Sequence, residues 1–138
     1  IMTIFKTDDR WFELAMKVAK TSECQFKHGA VIVIHGKPIS LGMNIPENRN
    51  IQKLFHRGPY NHEAHKRRER SDQIHAEVHA ILKAGTDLKG STLYSARYRP
   101  KGLRGDSCPC ESCTQIISLS GISTVVYQDN GNLVKVKL

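Results

Sequence analysis

Two short stretches of the sequence carry side chains that could bind a metal and move a proton. The first is His75-Ala76-Glu77 and the second is Pro109-Cys110-Glu111-Ser112-Cys113. Cys110 and Cys113 are three residues apart and share one face of a helix, so two thiolates and one imidazole could form a three-ligand zinc site. A fourth position is then left for water, which favours catalysis over a structural role.

Glu77 is the natural general acid and base of this site. It lies too close to His75 in sequence to join the same tetrahedral shell, but it can hydrogen-bond the water and carry its proton. A His-x-Glu followed by Pro-Cys-x-x-Cys is the signature of zinc nucleobase deaminases. The sequence therefore predicts one zinc ion on His75, Cys110 and Cys113, with a structural zinc site or a chance match as the alternatives.

Three nearby residues are weaker candidates for metal binding. His79 follows His75 by one helical turn, but three ligands already suffice, which favours a packing role. Cys108 lacks the helical spacing of the other two cysteines. Cys24 is most simply a buried small apolar side chain.

Composition bounds the class of protein. With 138 residues, of which 39% are hydrophobic, we expect one domain over residues 1–138 with its own core. A net charge of +8 predicts an anionic partner: nucleotide phosphates, a polynucleotide or an acidic surface. Four cysteines, no recognisable signal peptide and no apolar run of membrane length predict a cytoplasmic, reduced protein without a membrane partner.

The periodicity of apolar residues predicts three helices and five strands. Residues 7–21 form the first helix, 29–35 and 39–43 a strand hairpin, and a helix from His75 ends at Gly85. A strand follows at 91–98, then a basic loop at 99–106, a helix at 110–120 and strands at 122–127 and 133–138 joined by a tight turn. The result is a mixed five-stranded sheet with helices on both faces.

The long connection 44–73 carries seven basic residues and three histidines. Such a segment is usually a functional loop or contains a short helix, which we place at 61–70. His56, His62 and His65 could form a second zinc site, but no paired cysteine supports it, so a charged surface helix is favoured.

In this order of elements the chain resembles the cytidine deaminase superfamily, and its metal motif is most similar to the deoxycytidylate (dCMP) deaminase-like branch. The resemblance extends from Gly29-Ala30-Val31-Ile32-Val33 through the His75 and Cys110 motifs to Gly121-Ile122-Ser123-Thr124-Val125-Val126-Tyr127. It implies a cytidine deaminase-like three-layer sandwich whose last two strands form an antiparallel hairpin. That hairpin resembles the free-cytidine branch rather than the dCMP branch.

The resemblance also assigns roles to residues. Glu77 would protonate the ring nitrogen and then the leaving ammonia, and Asn44 would contact the sugar. The Ala76 N–H and the backbone carbonyls of Ser107 and Cys108 would bind the pyrimidine edge. Relatives assemble as dimers, tetramers or hexamers, so a homo-oligomer is expected.

Basic residues on both sides of the motif are candidates for a phosphate clamp. They are Arg49, Arg57, Arg67, Arg97 and Arg99. Lys101 and Arg104, in the basic loop at 99–106, lie on the same side of the motif in sequence as Arg97 and Arg99. The predicted function is deamination of a cytosine nucleotide, dCMP to dUMP or else dCTP. The alternatives are a free cytidine deaminase, a deaminase of DNA or RNA, which the few aromatic residues of the basic loops disfavour, and a non-catalytic zinc module, which Glu77 disfavours.

Overall fold

The computed structural model of the chain describes residues 1–46 and 73–138. The predicted helix at 61–70 and the predicted histidine cluster lie outside these residues. So do three of the phosphate candidates, Arg49, Arg57 and Arg67.

The described residues contain three α-helices and eight strands. The helices are α1 (Lys6–Lys20), α2 (Ala76–Ala84) and α3 (Glu111–Leu119). The strands are β1 (Lys27–Ile34), β2 (Lys37–Met43), β3 (Ile45–Pro46), β4 (Gln73–Ile74), β5 (Thr92–Arg99), β6 (Leu103–Gly105), β7 (Thr124–Asp129) and β8 (Asn132–Lys137). No described helix is long and apolar enough to cross a membrane.

The main sheet has six strands, of which five lie in the order β2-β1-β5-β7-β8 and the sixth, β6, pairs with β5 beside this path. β1 is antiparallel to both β2 and β5, β5 is parallel to β7, and β7 and β8 form an antiparallel hairpin. The predicted mixed sheet and its final hairpin are therefore confirmed. β3 and β4 form a separate two-stranded pair.

One part of the sequence prediction was wrong. The basic loop predicted at 99–106 contains the short strand β6, which pairs antiparallel with the last three residues of β5. Pro100 opens the turn, and Lys101 and Gly102 both have positive φ values, which reverse the chain within three residues. We call residues 97–105 the β5–β6 hairpin.

Helices cover both faces of the sheet, because successive strand residues point to opposite sides. Val31 and Val33 of β1 pack with Phe12 of α1, whereas Ala30 and Ile32 pack with α2 and α3. These two hydrophobic clusters confirm the three-layer sandwich. On α1, Phe12 and Met16 are buried, while Trp11 and Leu14 are partly buried at the edge of the same face.

Two glycines set the distance between helix and sheet. A Cβ atom on Gly29 would lie under 3.0 Å from the backbone of Ala15 and Ala19 in α1. A Cβ atom on Gly42 would come equally close to Ala76 and Ala80 in α2. α1 and α2 therefore contact the sheet through their backbones at these points, on opposite faces.

Candidate active site

The residues predicted to bind metal lie at the beginnings of two helices. His75 is the N-cap of α2 and has extended backbone dihedral angles. Cys110 is the N-cap of α3, so the helix begins one residue later than the predicted start at residue 110. The Cys110 Sγ accepts a hydrogen bond from the Cys113 N–H at 3.4 Å. Both helices thus present their N-terminal ends to the same site. This partial positive charge favours thiolates over thiols.

The three side chains meet. One donor atom from each of His75, Cys110 and Cys113 lies within 4.8 Å of the others. The His75 Nδ1 atom is 3.2 Å from Cys113 Sγ and 3.5 Å from Cys110 Sγ. Zinc bonds of about 2.0 Å to nitrogen and 2.3 Å to sulfur at tetrahedral angles put such donors roughly 3.6 Å apart. The donor types and their spacing therefore fit one zinc ion.

Glu77 follows His75 in the first turn of α2 and is only 6% exposed. Burial raises the pKa of its carboxyl group, against the opposing effect of hydrogen bonds from its own backbone and from Ser95. A buried carboxyl group with a raised pKa beside a group of potential metal ligands is suited both to accept and to donate a proton. This arrangement is the one expected of a general acid and base.

Ser95 of β5 lies on the side of the sheet that faces α2. Its Oγ atom is 3.4 Å from Glu77 Oε2 and 3.0 Å from the carbonyl oxygen of Ser107. Ser107 Oγ donates in return to the Ser95 carbonyl at 2.6 Å and accepts from the Gln128 N–H at 2.9 Å. The sequence analysis missed Ser95. The signal available was a hydroxyl at an inward-facing position, two residues after the buried Leu93.

Asn44 follows the end of β2 and is 2% exposed. Its Oδ1 accepts from the His28 N–H at 2.9 Å, and its Nδ2 donates to the Phe26 carbonyl at 2.6 Å and to Gln73 Oε1 at 3.4 Å. The amide therefore fixes the chain entering β1. One lone pair on Oδ1 remains for a further partner.

The pyrimidine-edge candidates lie around the same cluster. Ala76 is the first residue of α2 and is fully buried, so its N–H belongs to the helix end that lacks intrahelical acceptors. Cys108 is exposed, and Tyr127 hydrogen-bonds its side chain. Burial raises the pKa of the Cys108 thiol, so a neutral thiol is expected there.

Arg97 and Arg99 alternate along β5 with Ser95, so all three point to the same side of the sheet. The Arg97 guanidinium lies 5.2 Å from the centre of the Phe26 ring. Burial and the nearby Arg97 charge lower the pKa of His28 to about 4, which keeps this imidazole neutral at physiological pH. Two arginines are thus placed on the face of β5 that also carries the Glu77 contact.

Arg104 lies apart from Arg97 and Arg99. It lies on β6 opposite Tyr98, on the α1 side of the sheet. Its guanidinium pairs with Glu13 and lies 4.8 Å from the Phe12 ring. Because Arg104 pairs with Tyr98, which alternates with Arg97 and Arg99 along β5, it points to the opposite face.

The other metal candidates lie outside the cluster. His79 Nδ1 accepts the Met43 N–H at 3.1 Å and so joins α2 to β2. Cys24 is buried, with its Sγ 3.6 Å from the Asn44 carbonyl oxygen. Among the described residues, His75, Cys110 and Cys113 are the one set of three or more potential ligands that meet.

The sequence of the chain is similar to those of known zinc-binding deaminases. A sequence model of the cytidine and deoxycytidylate deaminase zinc-binding region matches residues 5–129. The chain is 33% identical over 128 residues to a deoxycytidylate deaminase of Saccharomyces cerevisiae, covering 89% of this chain and 38% of the yeast protein. It therefore spans well under half of that relative.

Solved structures share the fold. The dCMP deaminase of cyanophage S-TIM5 superposes with a TM-score of 0.59 at 20% identity, covering 89% of this chain and 82% of the phage protein. The cytidine deaminase of Burkholderia pseudomallei superposes with a TM-score of 0.62 at 22% identity, covering 99% and 93% of the two chains.

Proposed function

Because the chain belongs to the cytidine and deoxycytidylate deaminase zinc-binding family, we propose that it deaminates a cytosine mononucleotide, dCMP, to dUMP with release of ammonia. The observation that carries this proposal is the meeting of His75, Cys110 and Cys113 beside the buried Glu77. Metal binding alone needs no adjacent buried carboxyl group, whereas proton transfer does. The 33% identical yeast deoxycytidylate deaminase supports the choice of substrate.

His75, Cys110 and Cys113 would hold the zinc ion. Bound there, zinc would supply a nucleophile at neutral pH by lowering the pKa of water. Both thiolates lie at the N-terminal end of α3, whose partial positive charge stabilises their negative charge.

Glu77 moves the protons of the reaction. As water adds to C4 of the cytosine ring, Glu77 accepts its proton and delivers a proton to ring atom N3. A second transfer through Glu77 protonates the exocyclic amino group, the C4–N4 bond breaks, and ammonia leaves a uracil ring. The raised pKa of the Glu77 carboxyl group suits a residue that must take up and release a proton in each turnover.

Backbone groups orient the base. The Ala76 N–H would donate to the ring carbonyl, and the carbonyls of Ser107 and Cys108 would accept from the amino group. Ser107 O already accepts from Ser95 but keeps a second lone pair. The remaining lone pair of Asn44 Oδ1 would accept a sugar hydroxyl.

Arg97 and Arg99 would bind the substrate phosphate. Both lie on the side of β5 that carries the Ser95 contact to Glu77, and strand geometry places Arg97 about 7 Å beyond Ser95. A cytosine nucleotide with its base at Glu77 has its phosphate at about this distance or slightly farther. Arg49, Arg57 and Arg67 stay candidates outside the described residues.

A free nucleoside is the second candidate substrate, and the β7–β8 hairpin is the observation that favours it. The final strand is antiparallel, a feature in which the chain resembles the free-cytidine branch, as the sequence analysis noted. If this candidate is right, Arg97 and Arg99 are ordinary surface residues.

The test is ammonia release by zinc-loaded protein offered dCMP, dCTP, CMP, deoxycytidine or a single-stranded DNA oligomer. We expect dCMP to have the highest kcat/KM. Glu77→Gln should keep the zinc and lose at least a hundredfold in kcat, since it removes the proton carrier. Glu111→Gln, an exposed carboxylate beside another ligand, is the matched control and should retain activity.

Three results would contradict the proposal. They are full turnover by Glu77→Gln, activity confined to deoxycytidine, and activity on the DNA oligomer alone. Self-association of the chain and a cytoplasmic location also stay predictions; light scattering of the purified protein checks the first.

A further inference from the structure

We propose that Ser95 is a positioning residue that holds the Glu77 carboxyl group in fixed relation to the Ser107 carbonyl. This inference rests on the proposed deamination, in which Glu77 moves the protons and Ser107 lies beside the base. Ser95 is 2% exposed and is the side chain within hydrogen-bond distance of both groups.

The hydroxyl of Ser95 is suited to join two partners. It carries one proton and two lone pairs, so it donates to the Ser107 carbonyl or to Glu77 Oε2, one at a time. When the Glu77 carboxyl group carries a proton, Ser95 can accept from Glu77 and donate to Ser107. The Ser107 carbonyl at 3.0 Å is the nearer partner, and Glu77 Oε2 at 3.4 Å is the farther one. Catalytic hydrogen bonds are often long without substrate and shorten in the complex, so the longer contact does not disqualify Glu77.

Ser107 is held in place by several backbone and side-chain hydrogen bonds, so a contact with it can fix the position of Ser95. Its N–H donates to the Gln128 carbonyl at 3.0 Å, and its Oγ accepts from the Gln128 N–H at 2.9 Å. Its Oγ also donates to the Ser95 carbonyl at 2.6 Å. Ser107 is 4% exposed, so these bonds are shielded from water. We call the reciprocal pair of Ser95 and Ser107 the serine clasp.

The clasp lies at the base of the β5–β6 hairpin. Arg97 pairs with Gly105 and Arg99 pairs with Leu103, so the next opposing positions in this register are Ser95 and Ser107. The β5–β6 hairpin separates Ser95 from Ser107 in sequence, and Ser107 comes just before the metal-binding cysteines. The hydrogen bonds of the clasp therefore connect Glu77, through Ser95, to the segment that carries these cysteines.

The consequence is a defined geometry for proton transfer. A misplacement of a reacting group by about 1 Å can cost a hundredfold in rate. Loss of the Ser95 hydroxyl removes the hydrogen bond between Glu77 and the clasp but removes no metal ligand. We therefore expect Ser95→Ala to lower kcat about tenfold, with KM for dCMP changed less than about threefold and one zinc per chain retained.

Ser91→Ala is the matched control. Ser91 is also a fully buried serine whose Oγ donates to a backbone carbonyl, that of Leu88, at 2.6 Å. It precedes β5 at the end far from Glu77. Its substitution should lower the melting temperature as Ser95→Ala does and leave kcat unchanged.

A pair of isosteric variants separates the hydroxyl from the volume of the side chain. Ser95→Thr keeps the hydroxyl and Ser95→Val replaces it with a methyl group of the same shape. Thr should retain most of the wild-type kcat, and Val should match or exceed the loss caused by Ala. Equal kcat values for Thr and Val would overturn the proposal.

A double-mutant cycle with Glu77→Gln tests whether Ser95 acts through Glu77. Single-turnover rates should show that Ser95→Ala costs nothing further once Glu77 is replaced. A tenfold loss in both backgrounds would mean that Ser95 acts independently of Glu77, and the proposal would be wrong.

Crystal structures of the zinc-loaded wild-type and Ser95→Ala proteins decide the matter without activity. We expect the Glu77 carboxyl group to be displaced or to take two positions in the variant. An unchanged Glu77 would overturn the proposal. If the wild-type protein deaminates none of the five substrates, the proposed function fails, and these structures still report on the clasp.

Discussion

The two cysteines at the start of α3, Cys110 and Cys113, combine a structural role with a predicted metal-binding role. Cys110 caps α3 through its Sγ and is also a predicted metal ligand, while Cys113 is buried in the first turn. His75 is the N-cap residue of α2, without a side-chain hydrogen bond to the helix. A metal bound by these three side chains would therefore join two helices as well as complete the site.

Replacing Cys113 with serine should remove the metal. We expect about one zinc per chain in the wild type and near zero in Cys113→Ser, because a neutral hydroxyl is a poor substitute for a thiolate ligand. The variant should also melt at a lower temperature, since metal binding stabilises the folded state. Zinc content by atomic absorption and calorimetry provide the measurements.

Cys108→Ser is the control for this prediction. Cys108 is exposed and lies outside the ligand cluster, so its replacement should leave zinc content and melting temperature unchanged. Zinc loss in this variant would show that the ligand set is wrong.

Arg97→Ala tests the phosphate role at the same scale. The loss of a charge-assisted hydrogen bond, about 1.5–3 kcal/mol, should raise KM for dCMP by at least about tenfold. KM for deoxycytidine should not change, because the nucleoside has no phosphate. Arg104→Ala, which removes an arginine from the opposite face of the sheet, should affect neither KM. An equal rise for nucleotide and nucleoside would contradict the role.

At the scale of elements, the site depends on how closely α2 lies against β2. Gly42 allows backbone contact with Ala76 and Ala80, next to the predicted ligand His75 and to Glu77. Ser40 Oγ adds a hydrogen bond to the Ala80 carbonyl at 2.6 Å. The position of α2, and with it that of Glu77, is fixed by this close approach.

Gly42→Ala should therefore damage both stability and activity. The added methyl group must displace backbone, which typically costs about 1–3 kcal/mol or more. Because α2 must shift, we expect kcat to fall with it. Gly29→Ala creates the same conflict with α1 on the other face and should lower stability without lowering kcat. Urea denaturation measures the stability of both variants, and dCMP turnover measures their kcat. Equal kcat values for Gly42→Ala and Gly29→Ala would contradict the prediction that the position of α2 controls activity.

The elements that the sequence predicted well are those with strong local signals. β1 is a continuous β-branched run, and Gly85 ends α2 with a positive φ as predicted. β6 could not be predicted, because Leu103-Arg104-Gly105 has little strand propensity of its own. Its pairing with β5 exists because the preceding turn brings the two segments together.

At the scale of the whole molecule, a second buried polar group lies behind the site on the α1 side. Asp8 is 2% exposed and accepts hydrogen bonds from Tyr94 Oη at 2.7 Å, Lys135 Nζ at 3.1 Å and the Phe5 N–H at 2.8 Å. Burial raises the pKa of this carboxyl group, but the hydrogen bonds and the Lys135 charge outweigh it and hold the pKa below its ordinary value. Asp8 thereby joins α1, β5 and β8.

Stability should depend on Asp8 at low pH. The unfolded carboxyl group titrates near 3.8, so below about pH 4 the unfolded chain binds more protons than the folded one. The contribution of Asp8 is fully present above that value and is lost as pH falls through the lowered folded-state pKa. Asp8→Asn should cost about 3 kcal/mol at pH 7 and progressively less as the pH falls.

Asp9→Asn is the control on the same helix. Asp9 is 58% exposed and 4.0 Å from Arg104, so its replacement should cost under about 1 kcal/mol. Urea denaturation at pH 7 and pH 3 compares the two variants. A cost of Asp8→Asn that does not diminish with falling pH would contradict the assignment.

The candidate site divides in the same way into what the sequence predicted and what it did not. His75, Glu77, Cys110 and Cys113 were found because two short segments contain them at diagnostic spacings. The serine clasp was not found, because Ser95 and Ser107 are twelve residues apart and meet through a strand register that no local pattern encodes.

The β5–β6 hairpin has a practical consequence. Its base is closed by Ser95 and Ser107, and its tip, Lys101 and Gly102, is exposed and already has positive φ values. The tip is thus a natural point for inserting a short peptide tag or a fluorophore, a few residues from Arg97 and Arg99, where it would report binding if these arginines hold the substrate phosphate as proposed.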